Sequence, residues 1–299
     1  MAFIQNPHSE GLIRDAWPAK LARLTMDDKE FDAMAPYEYV PRSPSAIMDW
    51  AVVASIPRPL DPSRRWIILH SPDPANSTDD VYPVSLRTQG FLGKHNFKIL
   101  GSWDGSERNA CKAVNQLVLH GGDFPELFQP QQDVIDSLRD LVRQVTEDMS
   151  PRRSQTADSM FFQRRVFKKV VPGVTTQRSV LTAADDILGN ARAIDRQWRV
   201  VDKIKFGRRL TSGRVRTCNP LEFKDGDFVD VTATIEIASI RGRSGSSTAV
   251  MHCVPTTVIR LCPAADVPEK MPGPAEASDS GEDVARDEFD GELDQTDEE

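Results

Sequence analysis

No apolar run in the sequence approaches the roughly 18 residues that a bilayer-spanning helix needs. Met1 to Glu10 lack both the basic start and the apolar centre of a secretory signal. The expectation is an intracellular protein that does not touch a membrane. Cysteine is scarce, with residues only at 111, 218, 253 and 262, and no two form a Cys-x-x-Cys pair. That excludes the usual zinc spacings and a dense disulfide framework, so reduced, mostly buried thiols are expected. Long helices are excluded from the stretch between Pro36 and Pro74, which holds prolines at 36, 41, 44, 57, 59, 62, 72 and 74. No internal repeat of fixed period is visible.

What is present is segregated charge. The net charge of −8 over 299 residues divides into −6 for residues 1–151, +11 for 152–216, −1 for 217–262 and −12 for 263–299. The body without its last segment is at +4, so the acidic whole-chain balance describes the tail. Pro263, Pro268, Pro272 and Pro274 exclude a continuous helix or strand there, and Phe289 and Leu293 are nearly the only large apolar residues beyond Met271. Low hydrophobicity with high net charge predicts disorder. Such a tail either solvates the protein or acts as a polyanion that contacts the basic block. Ser278 and Ser280, in Ser-Asp-Ser-Gly-Glu-Asp, suit an acid-directed kinase, whose phosphate would add to the negative field.

The pattern predicts an α+β fold in three parts. Residues 1–150 form a mixed N-terminal region with Pro-rich connections. Residues 151–262 form a basic, mostly antiparallel β domain, a small open barrel or a sandwich, and 263–299 form the disordered acidic tail. In the first part, Ser43 and Pro44 open a short helix to Ser55, residues 65–69 read as a strand, and apolar spacing predicts a helix from Asp133 to Met149 that Pro151 ends. In the second, strands are expected over 160–171, 198–206, 228–238 and 248–261, with a helix over 182–190 between the first two. Val229, Val231, Ala233, Ile235 and Ile237 alternate on one face of the third strand. A Gly- and Ser-rich hairpin, residues 239–247, joins the last two.

Basic and aromatic residues interleave along these strands. Arg164, Arg165, Lys168 and Lys169 flank Phe161, Phe162 and Phe167, while Arg196, Arg199, Lys203 and Lys205 flank Trp198 and Phe206, with Arg208, Arg209, Arg214 and Arg216 following. A positive β surface with aromatic platforms suits single-stranded nucleic acid: phosphates supply salt-dependent affinity, and each stacked base adds roughly 1 to 3 kcal/mol. Arg241 and Arg243 in the hairpin are placed to clamp such a strand. The competing interpretation is that the aromatics are core and the charges decorate a solvated face. The segment 203–209 also reads as a nuclear import signal.

Enzyme motifs fail in turn. Leu117-Val118-Leu119-His120-Gly121-Gly122 is similar to the strand and His-Gly-Gly turn of α/β-hydrolase esterases, yet Gly242-Arg243-Ser244-Gly245-Ser246 lacks the final glycine of a nucleophile elbow. Gly90-Phe91-Leu92-Gly93-Lys94 has the wrong spacing for a phosphate loop. Cys111 with His95 or His120 has nothing to fix its geometry. His252 and Cys253, adjacent in a strand, point to opposite faces and cannot share a metal. No cofactor, metal or catalytic residue is expected.

The stretch 221–231, Leu-Glu-Phe-Lys-Asp-Gly-Asp-Phe-Val-Asp-Val, followed by a long hairpin and a strand ending Val258-Ile259-Arg260-Leu261, resembles the end of uncharacterised proteins of mushroom-forming fungi. The resemblance covers residues 221–261, implies a lineage-restricted eukaryotic protein and brings no known activity. Taken together, the sequence favours a nuclear, non-enzymatic protein that binds nucleic acid, with single strands preferred. Its acidic tail competes for the basic surface. The alternative is a scaffold whose basic face binds acidic proteins, and a hydrolase-like enzyme around His120 ranks third.

Overall fold

The computed structural model describes residues 1–18, 21, 29–55, 66–70, 82–146, 158–171, 178–241 and 247–267, with side chains at all of these except 239–241, 247 and 248. In chain order the strands are β1 (Phe3–Ile4), β2 (Tyr39–Val40), β3 (Ala51–Ser55), β4 (Trp66–His70), β5 (Ser85–Asn96), β6 (Val114–His120), β7 (Ser159–Arg165), β8 (Lys168–Lys169), β9 (Trp198–Arg199), β10 (Lys205–Arg209), β11 (Val215–Thr217), β12 (Phe228–Arg241) and β13 (Ser247–Cys262). The helices are α1 (Ile13–Ala16), α2 (Pro44–Trp50), α3 (Pro125–Thr146) and α4 (Asn190–Ala193). None among the described residues is long and apolar enough to cross a membrane.

One mostly antiparallel sheet organises the molecule, in the order β11-β10-β13-β12-β5-β6-β7, with the β3–β4 pair joined to β12 through Ile237 and Trp66. Among its described strands, β10 and β13 alone pair in parallel. The sheet draws strands from both sides of residue 151. It curls until β7 lies beside β13, where Arg164 Nη1 donates to Pro255 O at 3.2 Å. Among the described residues no ladder joins these two strands, so the fold is α+β with an open barrel.

Alternation explains the barrel lining. Val229, Val231, Ala233, Ile235 and Ile237 of β12 are all buried in the main core. The intervening Asp230 is buried too, where it receives Arg87 Nε and Nη2 (3.0 and 2.9 Å) and Gln89 Nε2 (3.0 Å). Helix α3 packs Phe128, Ile135, Leu138 and Val142 into the same core. Gln131 completes β5 beyond the end of β6. Its Oε1 accepts from Gln89 N (2.8 Å) and its Nε2 donates to Gln89 O (2.9 Å), replacing the ladder partner that strand lacks. A second, smaller cluster, built on Ala113, Val166, Phe167, Ile194 and Val200, lies apart from the barrel.

All three expected helices differ, and the strand expected over 198–206 is split between β9 and β10. The helix expected from Asp133 begins at Pro125, because Pro130 near the free end forfeits a single bond to Glu126 and is tolerated. Helix α2 keeps its Ser43 cap, whose Oγ accepts from Ala46 N at 3.2 Å, but stops at Trp50, where the β-branched run enters β3. The helix expected over 182–190 forms only as turns before α4. Asp185 accepts from Thr182 N (2.7 Å), Asp186 accepts from Ala191 N and Arg192 N, and Gly189 sits at φ +71°. The tail beyond Val267 lies outside the described residues, as do hairpin residues 242–246.

Candidate nucleic-acid interface

The basic block divides between two sets of strands. Its first half gathers around β7, β8 and β9, where aspartates meet it. Lys168 Nζ reaches Asp202 Oδ2 (2.9 Å), which Arg164 also approaches at 3.4 Å. Arg199 pairs with Asp195 (3.2 Å) and Lys203 with Asp185 (2.5 Å). Lys169 is exposed and Arg165 half-buried. The strand expected over 160–171 breaks between Arg165 and Lys168, and Phe167 turns inward, only 2% exposed, edge-on to Trp103 at 4.8 Å. Its ring is therefore core. Trp198 is half-buried against the same cluster and keeps part of its surface open.

The second half gathers on three neighbouring strands. In register, Arg216 of β11 lies opposite Arg208 of β10, which lies opposite Arg260 of β13. Register partners project from the same face, so the three arginines form a row across the sheet near its β11 edge. Arg208 Nη1 (3.3 Å) and Arg260 Nη2 (3.5 Å) share one oxygen, Glu222 Oε2, and Arg260 also lies 3.6 Å from Asp227. Both acids are engaged elsewhere. Glu222 Oε1 accepts from Asn219 N, while Asp227 accepts from Lys224 N and Ala264 N. Lys205, Arg214 and Arg216 are exposed. Arg209 Nη2 donates to the carbonyls of Leu261 (3.0 Å) and Leu21 (3.2 Å). Phe206 is half-buried between Phe97 (4.9 Å) and Phe223 (5.4 Å), on the same face of β10 as Arg208, and its ring packs with these two.

Beside this row, the β10–β11 hairpin and the end of β13 enclose a groove of about 390 Å³, lined by Arg208, Arg209, Arg260, Thr211 and Ser212 among others. Arg260 was not among the residues singled out from the sequence, although a charge inside the apolar run 258–261 marks it. Of the import-like segment 203–209, Lys205–Arg209 form β10. The Arg241 side chain and Arg243, the expected clamp, lie outside the described residues.

The His-Gly-Gly motif has a packing explanation. A Cβ on Gly121 would stand 2.6 Å from Phe128 Cβ, and one on Gly90 would stand 2.9 Å from Phe128 Cε2, so the two glycines admit the helix side chain between β5 and the end of β6. The His120 ring stacks on Phe91 at 5.8 Å, and burial lowers its pKa. His95 Nδ1 sits 3.0 Å from Asp225 Oδ1, and Cys111 Sγ donates to Arg108 O. All four cysteines are free thiols, those at 253 and 262 buried. Among the described residues no group of three or more His, Cys, Asp or Glu side chains could hold a metal ion.

No family model matches the chain, and no curated protein matches its sequence. Among solved structures, it is similar to gp2.5, a single-stranded DNA binding protein encoded by bacteriophage T7. The identity is 8%, the coverage 62% of this chain and 97% of that one, and the TM-score 0.33, a likeness too loose to transfer either fold or function.

Proposed function

We propose that the protein binds nucleic acid, with single strands preferred, and that the row Arg216–Arg208–Arg260 carries the reading. Three guanidinium groups stand in register, two of them, on Arg208 and Arg260, sharing one carboxylate, and exposed Lys205 and Arg214 extend the positive field along the same strands and their hairpin. Arginine forks suit phosphate oxygens, and rows of them track a backbone. Lys168, Lys169 and Arg164 continue the path toward β8, where Trp198 offers a partly open ring for stacking. The acidic tail competes for this surface, and import into the nucleus belongs to the same reading.

A scaffold that binds acidic proteins is the second reading. Phe167 is buried and Phe206 is wedged among other rings, which leaves few platforms for bases. Fluorescence anisotropy with labelled single-stranded DNA across a salt series separates the two, with duplex DNA and single-stranded RNA as competitors. Nucleic-acid binding predicts affinity that falls steeply with salt and drops at least tenfold in Arg216→Glu. A folded Trp198→Ala protein should lose single-strand preference. Absence of binding at low salt in both the full chain and a 1–267 fragment sinks the nucleic-acid reading and leaves the scaffold.

A further inference from the structure

We propose that the groove between the β10–β11 hairpin and the end of β13 is a discrete site for one nucleotide, with its phosphate on Arg208 and Arg260. Nothing in the row itself requires such a cavity, since a backbone can be tracked across a flat face. The groove adds three features.

First, its cations are held before any ligand arrives. Glu222 fixes Arg208 and Arg260 from one side, and two backbone carbonyls fix Arg209, so little side-chain freedom remains to be lost on binding. Second, the lining is unbalanced. Among the described residues it contains three arginines and no acid, and the carboxylates that pair with Arg208 and Arg260, Glu222 and Asp227, already accept backbone N–H groups. Arg208 keeps 40% of its side chain exposed, leaving donors for an anion, and the hydroxyl-bearing Thr211 and Ser212 stand at the exposed hairpin tip. Third, at about 390 Å³ the groove has room for more than one tetrahedral anion, and Leu210 and Leu261 give it an apolar wall against which a sugar and base can lie. Cations and leucines together in one lining suit a nucleoside monophosphate better than free phosphate. The anion site rests on the groove; the naming of its ligand as a nucleotide rests on the nucleic-acid reading above.

Calorimetric titration of the full-length chain with uridine 5′-monophosphate, uridine and inorganic phosphate tests this, beside anisotropy with an oligouridylate. The monophosphate should bind, inorganic phosphate at least tenfold more weakly and uridine not measurably. Ser212→Glu, a change at an exposed hairpin residue that brings a carboxylate to the rim, should weaken the monophosphate at least tenfold with an unchanged melting temperature. Arg208→Gln should do the same. Failure of the monophosphate to bind, or binding that both variants leave unchanged, overturns the site. Equal affinity for phosphate and monophosphate overturns the nucleotide assignment. An oligonucleotide that binds without the monophosphate leaves the wider function standing and removes the groove from it. Monophosphate binding without any oligonucleotide binding supports the groove and overturns the polymer reading.

Discussion

Asp230 and Arg87 show how a single buried pair ties the N-terminal segment to the barrel. The Asp230 side chain is fully buried and the Arg87 side chain 9% exposed, and the Arg87 guanidinium also lies 4.3 Å from the Phe3 ring centroid. Removing one member strands the other without water, which typically costs about 3 to 5 kcal/mol. Asp230→Ala should lower the urea midpoint accordingly, and a loss under 1 kcal/mol would show that water reaches the site. His70 gives a second residue-scale expectation. Burial, reinforced by the positive N-terminus, lowers its pKa to about 4, and its ring stands edge-on to Trp50 at 4.8 Å. The unfolded chain takes up this proton as pH falls through the ordinary 6.5, whereas the folded protein does so only near 4. Stability should therefore decline between these two values and level off below, by at most about 3.5 kcal/mol at about 1.4 per pH unit. Denaturation curves at pH 7, 5.5 and 4.5 should show this decline, and His70→Gln should flatten it. Neither feature was legible in the sequence, because an aspartate amid strand valines reads as solvent-facing until the segment that covers it is known.

Elements were more legible than their ends. Period-two alternation located β12 and β13 within a few residues, and the Ser43-Pro44 start of α2 formed as expected. Failures came where a local hydrogen bond or a distant surface overrode the pattern. Asp185 and Asp186 turn back onto nearby backbone N–H groups and replace a helix by turns. Helix α3 starts early because Gly90 and Gly121 open a slot for Phe128, and Gln131 then docks on Gln89. Both contacts are long-range, so neither spacing nor propensity could reveal them. They are testable together. Gly121→Ala forces a Cβ into the Phe128 side chain and should destabilise by about 1 to 3 kcal/mol. Gln131→Leu leaves a buried N–H and C=O of Gln89 without partners and should cost about 2 kcal/mol or more. If the slot and the amide act as one docking unit, the double variant should cost less than the sum, since either change alone already loosens α3. Strict additivity in equilibrium denaturation would separate them.

At the scale of the molecule, charge segregation was legible but its distribution in space was not. The sequence assigns an excess of +11 to residues 152–216, yet aspartates 185, 195 and 202 meet the lysines and arginines of its first half, while its second half joins Arg260 from another strand. Exposed bases therefore stand both at the β10–β11 edge, on Lys205, Arg214 and Arg216, and in the first half, on Lys169, Arg192 and Arg196. The last described residue, Val267, stands four positions beyond Pro263, which lines the arginine groove. Residues 268–299 carry thirteen acids and two bases, a net −11, and the remainder of the chain is at +3. A polyanion tethered so close acts at an effective concentration of the order of millimolar, which rivals most free ligands. Deleting residues 268–299 should then tighten single-stranded DNA binding about tenfold at 50 mM salt and hardly at all at 500 mM, because screening weakens the competitor along with the ligand. A synthetic 268–299 peptide added in trans should restore only part of the inhibition, since it lacks the tether. Ser278→Glu with Ser280→Glu in the full chain should deepen it. Equal affinities of the full and shortened chains at low salt would show that the tail does not reach the groove, and its charge would then serve solubility alone.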